Sequence, residues 1–348
     1  MGRARPGGVA PVDDRAGRAD PDAATAAAGG VPLTRSAVAR PAALAGALIA
    51  AALLPLALGS YQIHVLTVAC YYVILASSWN LIAGYTGLFS LAHHTFAGIG
   101  AYTSALLVIR TGAPIPVGVV CGGALACAAG YGLGTVTLRM RMLYLALATW
   151  AFAESVRVVV SMEYGITRGD LGLAVPKLLG TSSPVPYYEA FLACAAATVA
   201  ALALLLRSRV GYRLRAIRDD EGVARAAGVN TVRWKRFAFG VSSGIAGLAG
   251  ALYGHYIGLL SPVAMQFDEM ALIIIMVILG GQRTLSGPVL GAVVVEVASE
   301  ALRAYGQMRM VVFALVVVAV MRLYPPGLVG LGRALWARAT AVRPGSAG

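Results

Sequence analysis

Charged residues are scarce in this sequence. Only 12% of its 348 residues are Asp, Glu, Lys or Arg, and 59% are hydrophobic, whereas a soluble domain carries roughly 25% charged and 45–50% apolar residues. This composition excludes a soluble globular fold and indicates an integral membrane protein. The charge is also unbalanced, with a formal net charge of +13. We attribute the excess to loops beside anionic lipid and expect no nucleic-acid binding, because no basic stripe alternates with exposed aromatic residues.

Cysteine and histidine are too few and too scattered to indicate a metal centre. The four cysteines lie inside apolar stretches without disulfide or metal-ligand spacing, and the four histidines have no carboxylate at ligand spacing. A P-loop, a nucleophile elbow and an HExxH motif are all absent from the sequence. We therefore expect no metal, no cofactor, no catalytic residue and no ATP hydrolysis by this chain itself. A membrane-embedded enzyme is disfavoured for the same reason.

What the sequence does contain is a series of apolar segments long enough to span a membrane. A helix needs about 20 residues to cross the hydrocarbon layer, and the two-residue alternation of a membrane barrel is missing. The prediction is an all-α, polytopic membrane protein with both termini in the cytoplasm. Its ten predicted helices are 42–59, 61–83, 88–109, 114–137, 142–160, 187–206, 236–259, 268–281, 287–304 and 309–324.

The basic residues orient these helices. Residues 1–40 lack apolar periodicity and contain six arginines, which predicts a disordered, basic cytoplasmic tail before a transmembrane domain at 41–330. Residues 331–348 are predicted to form a second cytoplasmic tail. All but six of the 28 Lys and Arg then fall on the inner side. Residues 42–59 resemble the apolar core of a signal peptide, but the preceding charged region is too long for one, so we expect a retained helix.

Two predicted spans are interrupted by polar and small residues. The stretch 84–100 is rich in Gly, His, Ser and Thr, and 268–281 is followed by the break GGQRTLSGP. Interrupted helices near the membrane centre often line a transport pathway, so 84–100 and 268–291 either span the membrane or re-enter it. Ordinary packing through glycine is the alternative. The candidate pathway residues are Ser90, His93, His94 and Glu296.

Acid–base pairs occur three residues apart in two predicted spans. Glu154 precedes Arg157 and Glu300 precedes Arg303; opposite charges at this spacing neutralise each other on a helix. We expect both to be helix-end pairs near the outer interface. Glu296 has no such partner, and an isolated carboxylate in a membrane is a candidate functional residue.

Small residues form a stripe on the predicted helix 236–259. Their spacing of four and three places them on one helix face, where close contact between helices is possible without a hydrophobic driving force. The face could pack within the chain or against a second membrane subunit, and we expect packing within the chain. Its members are Gly240, Gly244, Gly247, Ala251, Gly254 and Gly258.

The longest polar interval, 207–236, holds nine of the 28 Lys and Arg. Acidic residues 219–221 suit a helix start, and Gly228 suits a helix end. A helix of about nine residues is marginal alone in water. We therefore interpret it as a docking element whose apolar face comprises Val223, Ala226 and Ala227. Resting on lipid is the alternative, although this face is small for insertion. The outer interval 161–186 either connects two helices or contacts a protein that delivers a solute.

Several motifs, in order, resemble one family. They are GYTGLFSLAHHTFAGIGAYTSALL (84–107), LALATWAFAESVRVVV (145–160), ITRGDLGL (166–173), RLRAIRDDEGVARAAGVN with KRFAFGVSSGIAGLAGALYGH, ILGGQRTLSGPVLGA (278–292) and YPPGLVG (324–330). The stretch 61–330 resembles the LivM-type permeases of bacterial branched-chain amino acid ABC transporters. In two places it departs from the family pattern: Gly222 replaces a usually apolar residue, and Arg168 interrupts what is more often a pair of glycines.

The resemblance implies a multi-pass protein of the bacterial inner membrane. Its partners would be a second, related permease, two cytoplasmic ATPases that bind the ATP, and a periplasmic binding protein, with lipid around the assembly. Urea or short amides are alternative solutes, and an ion-coupled secondary transporter relying on Glu296 is an alternative class. The residues implied to couple to the ATPase are Arg215, Arg218, Asp219, Asp220, Glu221, Val223, Arg225, Ala226 and Gly228.

Overall fold

The computed structural model describes residues 46, 48–137, 140, 142–181, 183–306, 308–323 and 327–331. The predicted tail 1–40 lies outside the described residues, as do residues 332–348 of the predicted tail 331–348 and residues 324–326 of the closing motif. The chain divides into two units, 1–51 and 52–348. In the first unit, Gly46 and residues 48–51 are helical. In the second, two further helical residues precede a 3-10 turn at Leu54–Leu56.

Among its described residues, the second unit consists of helices, the turns that join them and one pair of short strands. We label its elements in chain order. They are α1 Ser60–Ala83, α2 His93–Thr111, α3 Ile115–Thr137, α4 Met142–Met162, α5 Tyr164–Thr167, β1 Leu173–Ala174, α6 Val185–Arg207, α7 Arg209–Asp219, α8 Glu221–Ala226, α9 Thr231–Ile257, β2 Leu259–Leu260, α10 Phe267–Gly280, α11 Ser286–Ala301 and α12 Met308–Leu323.

Most predicted helices agree with these bounds within a few residues. By length and composition, five helices among the described residues could cross a membrane: α1, α3, α4, α6 and α9. The structure supports the all-α prediction, while the count of ten spans and the side on which the termini lie stay predictions. The span predicted at 42–59 falls partly outside the described residues. α9 begins at Thr231, earlier than predicted, because the Asn230 side chain caps it by accepting a bond from the Arg233 N–H at 3.0 Å.

α9 is the central helix, and it packs on α1, α2 and α3 through small residues. A Cβ placed on Gly250 would lie 2.0 Å from the Ala97 carbonyl oxygen of α2, and one on Gly247 would lie 2.4 Å from the Ala126 side chain of α3. Only small residues allow this backbone approach. The close packing of α9 on α2 and α3 therefore depends on glycine at Gly247 and Gly250.

The two interrupted stretches are non-helical where the sequence predicts a break. Residues 84–92 enter the body beside α1, where the Trp79 indole N–H donates to the Ser90 carbonyl oxygen at 2.8 Å. α2 therefore begins at His93 and not at 88 as predicted, because residues 84–92 form turns that return the chain inward. Residues 281–285 join α10 to α11, and Asn80 Nδ2 donates to the Thr284 carbonyl oxygen at 2.9 Å. The two breaks thus lie near the same end of α1.

Two short strands join the interval 161–186 to the residues that follow α9. β1 pairs antiparallel with β2, so that Leu173 faces Leu260 and Ala174 faces Leu259. Next to this pair, the ring of His255 contacts the Pro176 carbonyl oxygen through Nδ1 at 2.7 Å. The interval 161–186 is therefore more than a loose connection between two helices.

Candidate functional site

The polar interval 207–236 folds into two short helices before α9. The Ser208 side chain caps α7 by accepting from the Val210 N–H at 3.2 Å. Asp220 ends α7 and caps α8 by accepting from the Val223 N–H at 2.9 Å. Gly228 follows α8 with φ +82°, a left-handed conformation that favours glycine. A helix is present between Asp219 and Gly228 as predicted, but it has six residues and not about nine, because Asp219 is the last residue of an additional helix, α7.

Arg215 and Arg218 face the body of the second unit. Arg218 Nη1 donates to the Gly84 carbonyl oxygen at 3.2 Å, and its side chain is only 18% exposed. Arg215 Nη2 donates to the Leu206 carbonyl oxygen at 2.6 Å, and its guanidinium lies 5.5 Å from the Tyr212 ring centroid. Both arginines thus have partners within the chain, and their contact with an ATPase stays a prediction. Their hydrogen bonds hold α7 against the end of α6 and the turn after α1. They also supply donors to the carbonyl oxygens of Leu206 and Gly84, and a carbonyl at the end of a helix has no partner within that helix.

Glu221 joins α8 to α9. Its carboxylate accepts from Lys235 Nζ at 2.5 Å and from Arg225 Nη2 at 3.1 Å. Burial raises the pKa of this carboxyl, but the hydrogen bond and charge of Lys235, together with the charge of Arg225, outweigh burial and leave the pKa below its ordinary value. Asp219 pairs in turn with Arg218 at 2.6 Å. Asp219, Asp220 and Glu221 are thus engaged within the chain.

The rest of α8 presents an outward surface, which we call the docking face. Ala224 packs inward, whereas Val223 is 66% exposed and the Arg225 side chain is 68% exposed. Gly222 is exposed as well, so a larger apolar residue there would enlarge this surface. The docking face consists of Val223, Arg225, Ala226, Ala227 and Gly228.

The candidate pathway residues fall into two groups. Ser90, His93 and His94 are all buried around the start of α2, and His93 Nε2 lies 2.8 Å from Ser78 Oγ of α1. Glu296 lies on α11, partly buried and away from this group. It shares its surroundings with Glu269, whose carboxylate accepts from the Tyr72 hydroxyl at 2.6 Å. The sequence did not indicate Glu269 as a candidate, because this residue lies in the first turn of a short helix and has no partner at helical spacing.

The stripe of small residues packs within the chain, as predicted. Gly240 and Gly244 face Cys127 of α3, and Gly254 faces Ala101 of α2. The prediction for Gly258 was wrong. This glycine ends α9 with φ +78° and is a helix cap, not a packing residue. The close approach at Gly250 was missed, because this glycine lies outside the stripe defined by spacing.

Both predicted acid–base pairs form. Arg157 Nε donates to Glu154 Oε2 at 3.0 Å, and Arg303 Nη1 donates to Glu300 Oε1 at 3.2 Å. The second pair lies at the end of α11. The first does not lie at a helix end, because α4 continues for eight residues beyond Glu154 to Met162.

Comparison with known proteins agrees with this architecture. Residues 61–321 match the family described as branched-chain amino acid transport system / permease component. The chain belongs to this family. It is therefore a permease component of an ATP-binding cassette importer and not an enzyme.

Two curated relatives show the extent of the similarity to this permease. The high-affinity branched-chain amino acid transport system permease protein LivM of Escherichia coli K12 is 30% identical over 318 residues, which cover 83% of this permease and 75% of LivM. LivH of the same organism is 24% identical over 288 residues, covering 76% of this permease and 92% of LivH. No solved structure matches.

Proposed function

We infer that this permease moves branched-chain amino acids across a bacterial inner membrane and that its docking face contacts a cytoplasmic ATPase. The solute is supported by the similarity to LivM and LivH, which are both named for high-affinity branched-chain amino acid transport. Similarity to two different permeases of one organism supports a second, related permease as partner. A binding protein outside the membrane would deliver the solute.

One observation carries the docking proposal. α8 has six residues, too few for a stable isolated helix, and nevertheless leaves Val223 and Ala226 uncovered. The nine Lys and Arg of 207–236 favour a cytoplasmic location for this segment. By the same rule, both termini of the chain would be cytoplasmic. A short, capped helix with an exposed apolar face on that side suits contact with a soluble protein.

Two links would transmit movement of α8 into the membrane. The Glu221–Lys235 pair connects α8 to α9, and the Arg218–Gly84 hydrogen bond connects α7 to the turn that leads into α2. Both links end on backbone or on a buried side chain, so a displacement of the docking face is transferred directly to the packed helices. The permease itself supplies no covalent chemistry in this scheme.

Ala226→Glu tests the docking proposal. A carboxylate in the centre of the docking face should abolish co-purification of the ATPases while membrane insertion of the permease stays unchanged. The matched control is Ala264→Glu, also at an exposed alanine but in the turn Pro262–Met265, beyond the opposite end of α9. Normal co-purification of the ATPases with Ala226→Glu would contradict the assignment of α8.

Uptake in proteoliposomes tests the class of transport. We expect L-leucine uptake to require the ATPases, the binding protein and ATP. Uptake by the permease alone, driven by a proton or sodium gradient, would favour a secondary transporter. Uptake of urea or acetamide in place of L-leucine would favour the amide alternative.

A further inference from the structure

The Glu154–Arg157 pair occupies an unusual position on α4. A rise of about 1.5 Å per residue places Glu154 about 12 Å from the Met162 end and about 18 Å from the Met142 end of α4, which is long and apolar enough to cross a membrane. Even so, the Glu154 side chain is 42% exposed and that of Arg157 is 26% exposed. Charged groups facing lipid are strongly disfavoured. This face of α4 therefore adjoins water, a solute or another protein.

The surroundings of the pair are those of a binding surface. The hydroxyl of Tyr102, which is more than nine-tenths buried, has no hydrogen-bond partner among the described residues. His94 interacts electrostatically with Glu154, and Tyr102 belongs to a hydrophobic cluster against which Val156 and Val160 of α4 pack. Unpartnered buried polar atoms call for an occupant that the chain itself does not supply.

An apolar contact lies one turn away from the charges. Trp150 precedes Glu154 by four residues on the same stripe of α4, and its ring meets Phe267 edge-on at a centroid distance of 6.3 Å. Both aromatic side chains are 44% exposed. The stripe therefore presents an apolar surface, an anion and a cation in that order along α4. These groups complement the aliphatic side chain, the ammonium group and the carboxylate of an α-amino acid.

We propose that the stripe of Trp150, Glu154 and Arg157 is a solute subsite on the wall of the transport pathway. The ammonium group of a zwitterionic amino acid pairs with Glu154, its carboxylate pairs with Arg157, and its aliphatic side chain lies against Trp150 and Phe267. This inference rests on the proposed function.

The internal ion pair suits such a subsite. Arg157 binds Glu154 through Nε and Nη2, while Nη1 makes no hydrogen bond to a described residue. When the site is empty, the two charges neutralise each other. A zwitterion replaces each partner by a group of the same sign, so the net charge at the site does not change as the solute enters and leaves. Weak, exchangeable binding of this kind is what passage through a permease requires.

The experiment uses the complete transporter in proteoliposomes, with radiolabelled L-leucine supplied on the binding protein. Three changes are compared: Glu154→Gln, Arg157→Gln, and the double swap Glu154→Arg with Arg157→Glu. The swap keeps an ion pair on α4 but reverses its polarity toward the solute. The matched control swaps the other pair of the same spacing, with Glu300→Arg and Arg303→Glu. Subunit composition and basal ATPase activity are measured on each sample.

We expect each single change to lower L-leucine uptake about tenfold or more, because a charged hydrogen-bonding partner is lost. The swap on α4 should stay as low as the single changes, whereas the Glu300–Arg303 swap should keep uptake within about twofold of wild type. Subunit composition should be the same in every sample.

Two results would overturn the subsite. Recovery of uptake in the α4 swap would make the pair structural, and loss of the second permease from the α4 variants would make it a subunit contact. Failure of the proposed function is recognised separately. If the wild-type transporter takes up no L-leucine with ATP, that function is wrong, and the subsite for an amino acid falls with it.

Discussion

Arg218 reaches back across 134 residues of sequence to donate a hydrogen bond to the Gly84 carbonyl oxygen. The contact is tight, because a Cβ on Gly87, in the same turn, would lie 3.1 Å from the Arg218 side chain. A residue of the polar interval thus supports the turn from which the chain enters α2.

Arg218→Ala should destabilise the permease by about 1.5–3 kcal/mol, since a hydrogen bond from a charged donor is lost. Thermal unfolding of the purified subunit in detergent measures this change. Arg225→Ala is the matched control: Arg225 is exposed and pairs only with Glu221 among the described residues, so we expect a change within about 0.5 kcal/mol. Equal effects of the two substitutions would contradict the inward role of Arg218.

The Glu221–Lys235 pair predicts a dependence of stability on acid pH. A carboxyl whose pKa is lowered by folding stabilises the fold above its unfolded pKa, and that contribution is lost as the pH falls through the folded pKa. Glu221→Gln should therefore have a lower unfolding temperature than wild type at neutral pH. The difference should close as the pH falls below the ordinary carboxyl value of 4.5.

Thermal unfolding from neutral to acid pH measures this dependence. The control is Glu189→Gln on α6, where the carboxylate is exposed and no ion pair is found among the described residues. A gap between wild type and Glu221→Gln that stays constant down to acid pH would show that the charge of Glu221 is not its source.

Two glycines on neighbouring helices predict opposite effects of the same substitution. A Cβ on Gly250 would collide with the Ala97 carbonyl oxygen, whereas one on Gly132 of α3 would meet nothing within 4 Å. Gly250→Ala should cost about 1–3 kcal/mol by forcing α9 away from α2. Gly132→Ala should stabilise α3 by about 0.5–1 kcal/mol, because alanine favours helix more than glycine does. The unfolding temperatures of the two variants should move in opposite directions.

The turn after α5 contains a residue under backbone strain. Arg168 has φ +60°, a conformation that costs a side-chain-bearing residue about 1–2 kcal/mol. Arg168→Gly should therefore raise the unfolding temperature.

Gly169→Ala should lower it, because a Cβ at this φ of +51° would lie 2.4 Å from the Ser161 carbonyl oxygen. A lower unfolding temperature for Arg168→Gly would mean that the arginine side chain contributes more than the strain removes.

Sequence alone predicts the features that depend on local chemistry. Hydrophobic length located the helices, and the acidic start and glycine end of α8 follow from capping rules that act within one turn. The directions of Arg215 and Arg218 could not be predicted in this way. Both arginines can reach water or the protein body, and only the position of Gly84 and Leu206 in space decides between these directions.

Contacts between distant parts of the chain were the main omission. Glu269 meets Tyr72 across 197 residues, and no spacing rule connects them. Gly250 was overlooked because α9 packs on α2 and α3 with different sides, while periodicity defined a single stripe. The late start of α2 has a similar origin, since 84–92 is apolar enough for a span but is held in turns by contacts with α1.

α9 is attached to neighbouring elements at both of its ends. At one end, Lys235 is bound to Glu221; at the other, β2 is bound to β1 and His255 contacts Pro176. Between them, glycines and other small residues bring α9 into close contact with α2 and α3. Because 27 residues of helix rise about 40 Å, a rocking of about 5° shifts each end by about 2 Å in opposite senses. On this geometry, a rocking of α9 driven from α8 would move the loop beside α4 in the opposite sense.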